Sequence, residues 1–242
     1  MSGTARLDKL LANLGYGSRN EVARLVRNER VLLDGTPVDD ASARIAVTDD
    51  LPTRMTIDDE PLDPIPGLTL ILHKPIGVTC SHRELGPLVY DLLPDRWRRR
   101  DPAISTVGRL DKETSGLLLM TDDGALLHKI ISPKQHVTKH YLAQLAQPLR
   151  GDEAALFAAG ELILEGETKP LVPADLQVLS PTSVRVTVTE GRYHQVRRMF
   201  AAVGNHVETL HRDCIGKLAL PADLEPGDYR QATAADIAAI FS

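Results

Sequence analysis

Sulfur, aromatic rings and long apolar runs are all scarce in this chain. Its 242 residues include two cysteines, Cys80 and Cys214. That is too few for a disulfide framework and suits a reducing compartment. Phe, Tyr and Trp together make up 4%, which counts against a site built on stacked sugar platforms. No apolar run reaches the length of a bilayer span, and no signal-type stretch follows Met1. The expectation is therefore a cytoplasmic protein without membrane contact. A P-loop, a dinucleotide fingerprint, internal repeats and low-complexity segments are also lacking. His73, Cys80 and His82 match no standard zinc spacing and a fourth ligand is missing, so no metal is expected.

Apolar residues make up 43% of the chain and charged residues 25%, as in an ordinary globular protein long enough for one large domain and one small one. The formal charge of −5 looks unsuited to an RNA binder, but it is unevenly distributed. Residues 1–38 carry six Arg or Lys and four acids, whereas residues 39–63 carry eight acids and two Arg. Basic residues cluster at Arg96, Arg98, Arg99 and Arg100, and again at Arg192, Arg197 and Arg198. A phosphate backbone responds to such patches more than to total charge.

Leu7, Leu10, Leu11 and Leu14 fall at helical spacing over residues 6–14. Gly15 and Gly17 end that run, and Ser18 with Glu21 forms a capping-box pattern that starts a second helix. Residues 31–38, turning at Asp34-Gly35, read as a β-hairpin. Residues 39–66 read as one or two strands completing the small unit, then a linker. Beyond them, strands are expected at 68–72, 141–146 and 184–189, and helices at 125–131, 152–159, 193–203 and 234–240. This interleaving argues for an α/β or α+β catalytic domain.

Two segments carry the chemistry. In Gly108-Arg-Leu-Asp-Lys-Glu-Thr-Ser-Gly116, glycines bound a polar loop containing Arg109 and Asp111, which allows a tight turn or a close approach to a ligand. A lone loop aspartate also reads as a turn residue. Asp122 and Asp123 read as caps or turn residues before the next helix. In Glu190-Gly-Arg-Tyr-His-Gln-Val-Arg-Arg-Met-Phe200, Arg197 and Arg198 stand among the apolar positions of a helix. At least one of them then needs a carboxylate partner, although solvated arginines are the plain alternative.

Together the segments are similar to a known family. Gly108-Arg-Leu-Asp111 with Thr114 and Gly116, His73-Lys-Pro-x-Gly77, Lys139-His-Tyr141, Gly191-Arg-Tyr-His-Gln-Val-Arg-Arg198 and Gly204-Asn-His-Val207 with Ile215-Gly216 resemble the bacterial ribosomal pseudouridine synthases. The likeness is greatest to those of small-subunit 16S rRNA, with the 23S rRNA enzymes as the alternative. Arg6-Leu-Asp-Lys9, Gly17-Ser-Arg19, the run 21–30 and Val31-Leu-Leu-Asp-Gly35 resemble the small S4-like RNA-binding module. The chain departs from the family's pattern at His73 and His140, where Asn and Thr are usual.

The resemblance implies an α+β protein with an S4-like module at 1–60 and, at 67–242, a mixed α/β catalytic domain with a mainly antiparallel sheet. It implies Asp111 as the catalytic carboxylate. Tyr141 would stack on the flipped base, Arg197 would pair with Asp111, and Arg109 would order the loop. Arg6, Lys9, Arg19, Arg24, Arg27, Lys74, Arg192 and Arg198 would contact RNA. It implies no cofactor, and a monomer whose partner is 16S rRNA, possibly within a pre-ribosomal particle. Two rivals remain on the residues alone: a non-catalytic RNA binder, and a glycosidase using Asp111 and Glu113.

Overall fold

The structure is a computed structural model that describes residues 3–81 and 84–242. The chain divides into two compact units. One comprises residues up to 69 together with 93–105 and 121–123; the other comprises 70–92, 106–120 and 124–242.

In the first unit the leucine spacing becomes the helix Leu7–Asn13, followed by the helix Arg19–Arg27 with the Ser18–Glu21 capping box formed. Leu7, Leu11, Leu14, Val22, Val31 and Met55 make a core closed to solvent. The hairpin Val31–Leu33 and Thr36–Pro37 pairs with Met55–Ile57, which in turn pairs with Glu60–Pro61. Arg44–Val47 pairs with Gly3–Arg6, so the acidic stretch is more ordered than its composition suggests. Segment 93–105 joins this unit because Trp97 and Leu93 are buried there, and because its arginines find partners in it.

The second unit is built on one sheet. Among the described residues its strand order is Asp175–Ser180, Ser183–Val188, Lys139–Leu145, Val207–Ile215, Thr114–Thr121, Thr69–Lys74 and Tyr229–Gln231. The pairing is mainly antiparallel, with Val207–Ile215 parallel to Thr114–Thr121. Val184, Val186, Phe157, Met199 and Phe200 fill one core, and Ile71, Leu117, Leu119 and Ile215 another. The expected α+β class is what the structure has. The expected helices appear as Gly124–Ile131, Glu153–Ala159, Gln195–Ala202 and Ala234–Ile240. Val207–Ile215 was not anticipated, because Glu208, His211, Arg212 and Asp213 interrupt its apolar alternation.

Candidate active site

The loop bearing Asp111 leads into the strand Thr114–Thr121, and its turn is closed by the Thr114 amide donating to the Asp111 carbonyl at 3.0 Å. Lys74 braces this loop from below. Its Nζ donates to the carbonyls of Thr114 (2.8 Å), Pro75 (2.9 Å) and Lys112 (3.4 Å). Lys74 is 0% exposed, so the expected phosphate contact is corrected. It is a buried strut for the loop, and burial pulls its pKa below the usual lysine value.

Asp111 is about one-third exposed, and its carboxylate lies 3.3 Å from Nε2 of His194. The expected Arg197–Asp111 ion pair is therefore not what the structure has. Arg197 instead donates Nη1 to the Val207 carbonyl at 2.7 Å and Nη2 to the Glu113 carbonyl at 3.0 Å. Its planar fork is committed to main chain, linking its helix to the Asp111 loop through backbone. His194 reaches the carboxylate because its own backbone is left-handed, at φ 48°. That conformation starts the helix at Gln195, later than the apolar spacing indicates. The His194 ring stacks on Tyr193 with centroids 3.9 Å apart, and Tyr193 is largely exposed.

Across the sheet, Tyr141 on Lys139–Leu145 stands opposite Arg212 on Val207–Ile215. Arg212 is buried; its Nε donates to the Leu117 carbonyl at 2.8 Å and its Nη1 lies 3.4 Å from the Tyr141 hydroxyl. Asp111, Tyr141, Arg212, Lys139, Arg109 and His194 all line one cavity of about 540 Å³. Burial also lowers the Lys139 pKa. Asp111 thus faces a wall with several cations, an aromatic ring and a histidine, and Glu84 and Glu190 line the same cavity. That arrangement can hold a planar base against a ring while a carboxylate meets the adjoining sugar carbon.

Of the other expected residues, Arg192 lines this cavity too, and the rest lie elsewhere. Arg192 and Arg198 both pair with Glu167, Arg198 at 2.6 Å, and both donate to nearby carbonyls in residues 165–193. They clamp the 165–170 segment, and a phosphate would have to compete with these bonds. Arg6 and Arg19 share the Asp8 carboxylate at 2.9 and 2.8 Å, while Lys9, Arg24 and Arg27 are exposed on the first unit. Glu113 is exposed and does not line the cavity, so it does not face Asp111 as a second acid there. His73 Nδ1 bonds the Leu224 carbonyl at 2.8 Å and Cys80 is a buried free thiol, while His82 lies outside the described residues. Asp122 accepts from Arg100 at 2.9 Å and from the Gly67 amide at 2.8 Å, which makes it a buried ion-pair partner. Lys139, His194 and Arg212 were not singled out. The signal for Arg212 was an arginine in phase with Leu210 and Cys214, but it is usable only once that stretch is known to be a strand.

A parallel strand pair bearing a loop carboxylate, opposite a tyrosine over a buried arginine, belongs to a recognised class. Residues 69–202 match the RNA pseudouridylate synthase family and residues 5–51 match the S4 domain. The chain belongs to the RNA pseudouridylate synthase family. It is 43% identical to the ribosomal small subunit pseudouridine synthase A of Escherichia coli strain K12, over 97% of this chain and 99% of that protein. Identity to the protein of the same name from Haemophilus influenzae is 40%, over 96% and 97%. A solved pseudouridylate synthase crystal structure has a TM-score of 0.68 at 38% identity, covering 97% of this chain and 99% of that one.

Proposed function

We propose that this chain converts a specific uridine of 16S rRNA into pseudouridine during small-subunit maturation, with Asp111 as its catalytic carboxylate. The observation that carries the reading is Asp111 and Tyr141 lining one cavity, in a chain about as long as the small-subunit synthases it resembles. The target must leave its stack to reach such a cavity, at a cost of a few kcal/mol. The bond from N1 to C1′ then breaks, the uracil turns, and C5 bonds to C1′. The C5 proton departs and N1, freed from C1′, takes up a proton, so atoms and electrons balance without redox chemistry or hydrolysis. No cofactor is called for. Tyr141 stacks on the base, Arg109 and His194 flank the carboxylate, and Arg197 holds the loop's backbone.

Residues 1–60 serve as the RNA-binding domain, through Arg6, Lys9, Arg19, Arg24 and Arg27, and residues 67–242 as the catalytic domain. The protein works in the cytoplasm as a monomer, on RNA that is naked or already part of a pre-ribosomal particle. No helix among the described residues is long and apolar enough to cross a membrane. The test is release of tritium from C5-labelled uridine in 16S rRNA by the purified protein. Release that tracks pseudouridine at one position supports the reading. A free-uracil product, or modification of 23S rRNA alone, overturns it.

A further inference from the structure

We propose that Arg98 and Arg99 extend the RNA-binding face of the S4-like unit, so that phosphates of structured RNA bridge the start of the helix Arg19–Arg27 and the turn Asp95–Arg99. This rests on the reading that the chain acts on RNA. The added residues lie outside the stretch that matches the S4 domain, residues 5–51.

An isolated exposed arginine is ordinarily a solvated charge of little consequence. The sequence Asp95-Arg-Trp-Arg-Arg-Arg100 is different because its arginines have divided roles. Arg96 grips Asp63 with two hydrogen bonds of 2.6 and 2.8 Å and lies 4.4 Å over the Tyr16 ring. Arg100 is buried, with one donor on Asp122 at 2.9 Å and another on the Pro64 carbonyl at 2.8 Å. Trp97 is buried between them, and the Asp101 amide donates to the Asn13 carbonyl at 2.8 Å. The turn is thus pegged on both sides, and Arg98 and Arg99 are left facing solvent.

The pegging also sets where they face. The Arg96 carbonyl lies so close over Gly15 that a Cβ there would stand 2.3 Å from it, and Gly15 has φ +92°. The turn therefore seats on the link between the first two helices, beside Ser18, Arg19 and Glu21. Arg99 is near enough to help hold the Glu21 carboxyl below its usual pKa, after the larger effect of the Ser18 hydrogen bonds. Arg19 holds Asp8 at 2.8 Å, but a neighbouring contact on this face is loose. Arg24 is 3.8 Å from Glu21, too long for a hydrogen bond and easily exchanged for phosphate. Elsewhere on the unit, Arg54 holds Asp34 at 2.9 and 2.7 Å and Arg30 holds Asp58 by two donors. Fixing the turn before RNA arrives removes part of the ordering cost of binding.

The experiment uses the full chain and a transcribed, folded fragment of 16S rRNA. Binding is followed by fluorescence anisotropy across about 50 to 200 mM salt. Arg98→Gln with Arg99→Gln should weaken binding and flatten the slope of log affinity against log salt by about 1.4 to 1.8, the release expected for two phosphate contacts. Arg98→Lys with Arg99→Lys keeps the charges and should keep the slope. Arg30→Gln with Arg54→Gln removes the same formal charge and should leave the slope as in the wild type. An unchanged slope in the Arg98/Arg99 glutamine variant overturns the proposal, including the case in which that variant loses an acidic protein partner instead. Equal flattening by the Arg30/Arg54 variant overturns it too, by reducing the effect to net charge. Wild-type protein that binds RNA with a steep salt slope but forms no pseudouridine would contradict only the catalytic reading.

Discussion

Asp111→Asn keeps the shape of the side chain and deletes the charge that faces the cationic wall of the cavity. Turnover should fall by about 10⁴-fold or more, as on loss of a nucleophile or base, while RNA affinity changes little. Single-turnover conversion of 16S rRNA by a verified Asn variant checks this, and measurable multiple turnover would remove Asp111 from its role. Arg197 makes a different prediction. Its two donors serve the carbonyls of Val207 and Glu113, and at about 0.5–1.5 kcal/mol for each hydrogen bond the two contribute about 1–3 kcal/mol. Arg197→Met should destabilise the protein by that amount, with no relief from Asp111→Asn. In a urea-unfolding double-mutant cycle the two losses should add within about 0.5 kcal/mol. A recovery larger than that would mean the direct ion pair exists after all. Asp111 stands out through the likeness of its glycine-bounded loop to the family's motif, since the loop alone reads equally as a turn. Its partner does not stand out, because a left-handed histidine has no signature in residue spacing.

At the scale of elements, the site depends on how closely two parallel strands approach. Gly116 sits opposite Arg212 in the register, and a Cβ at Gly116 would stand 2.2 Å from the Arg212 carbonyl oxygen, with φ +111° at the glycine. Gly116→Ala therefore meets fixed backbone and a disfavoured conformation together. We expect about 3 kcal/mol or more of destabilisation, measured by thermal or urea unfolding, with Arg212 displaced from Tyr141. A loss below about 1 kcal/mol would show that the strands separate easily. The buried Arg100–Asp122 pair, with both side chains 1% exposed, belongs to the same scale. Arg100→Met strands a buried carboxylate and should cost about 3–5 kcal/mol. Asp122→Asn in that background should restore part of the loss, and a purely additive pair of losses would contradict the coupling. Helices were legible from apolar spacing and caps. The strand Val207–Ile215 was not, since its polar residues serve the cavity and the opposite sheet face.

For the whole molecule, pH and truncation are the informative perturbations. Arg6 hydrogen bonds, helped by Arg19, hold the Asp8 carboxyl at about 2 against an ordinary 3.8. The unfolded chain takes up this proton first as pH falls. The stabilisation is therefore complete above about pH 4 and disappears between there and pH 2. Asp8→Asn should lower stability at neutral pH and flatten the acid limb of a stability–pH curve, and an identical limb in the variant would refute the linkage. Deleting residues 1–60 removes Gly15 and Tyr16, on which the Arg96 turn rests, and most of the unit to which the buried Trp97 and Leu93 belong. The truncated chain should show a lower unfolding temperature and increased binding of a hydrophobic dye. An unchanged melting curve would show that segment 93–105 needs no cover from the N-terminal residues.

By itself the sequence determined the S4-like helices, because capping boxes and 3.6-residue periodicity act over short stretches of chain, and it carried the motifs whose resemblance implies the reaction class and a role for Asp111. Only the tertiary structure decided what the basic residues do. Arginine and lysine look alike in sequence whether solvated, buried on carbonyls or paired with acids. Lys74, which its motif suggests as a phosphate ligand, is a buried strut, while Arg192 and Arg198 both hold Glu167. The difference lies in burial and in partners brought from distant parts of the chain, and residue order alone does not encode which carbonyl or carboxylate a long flexible side chain will meet.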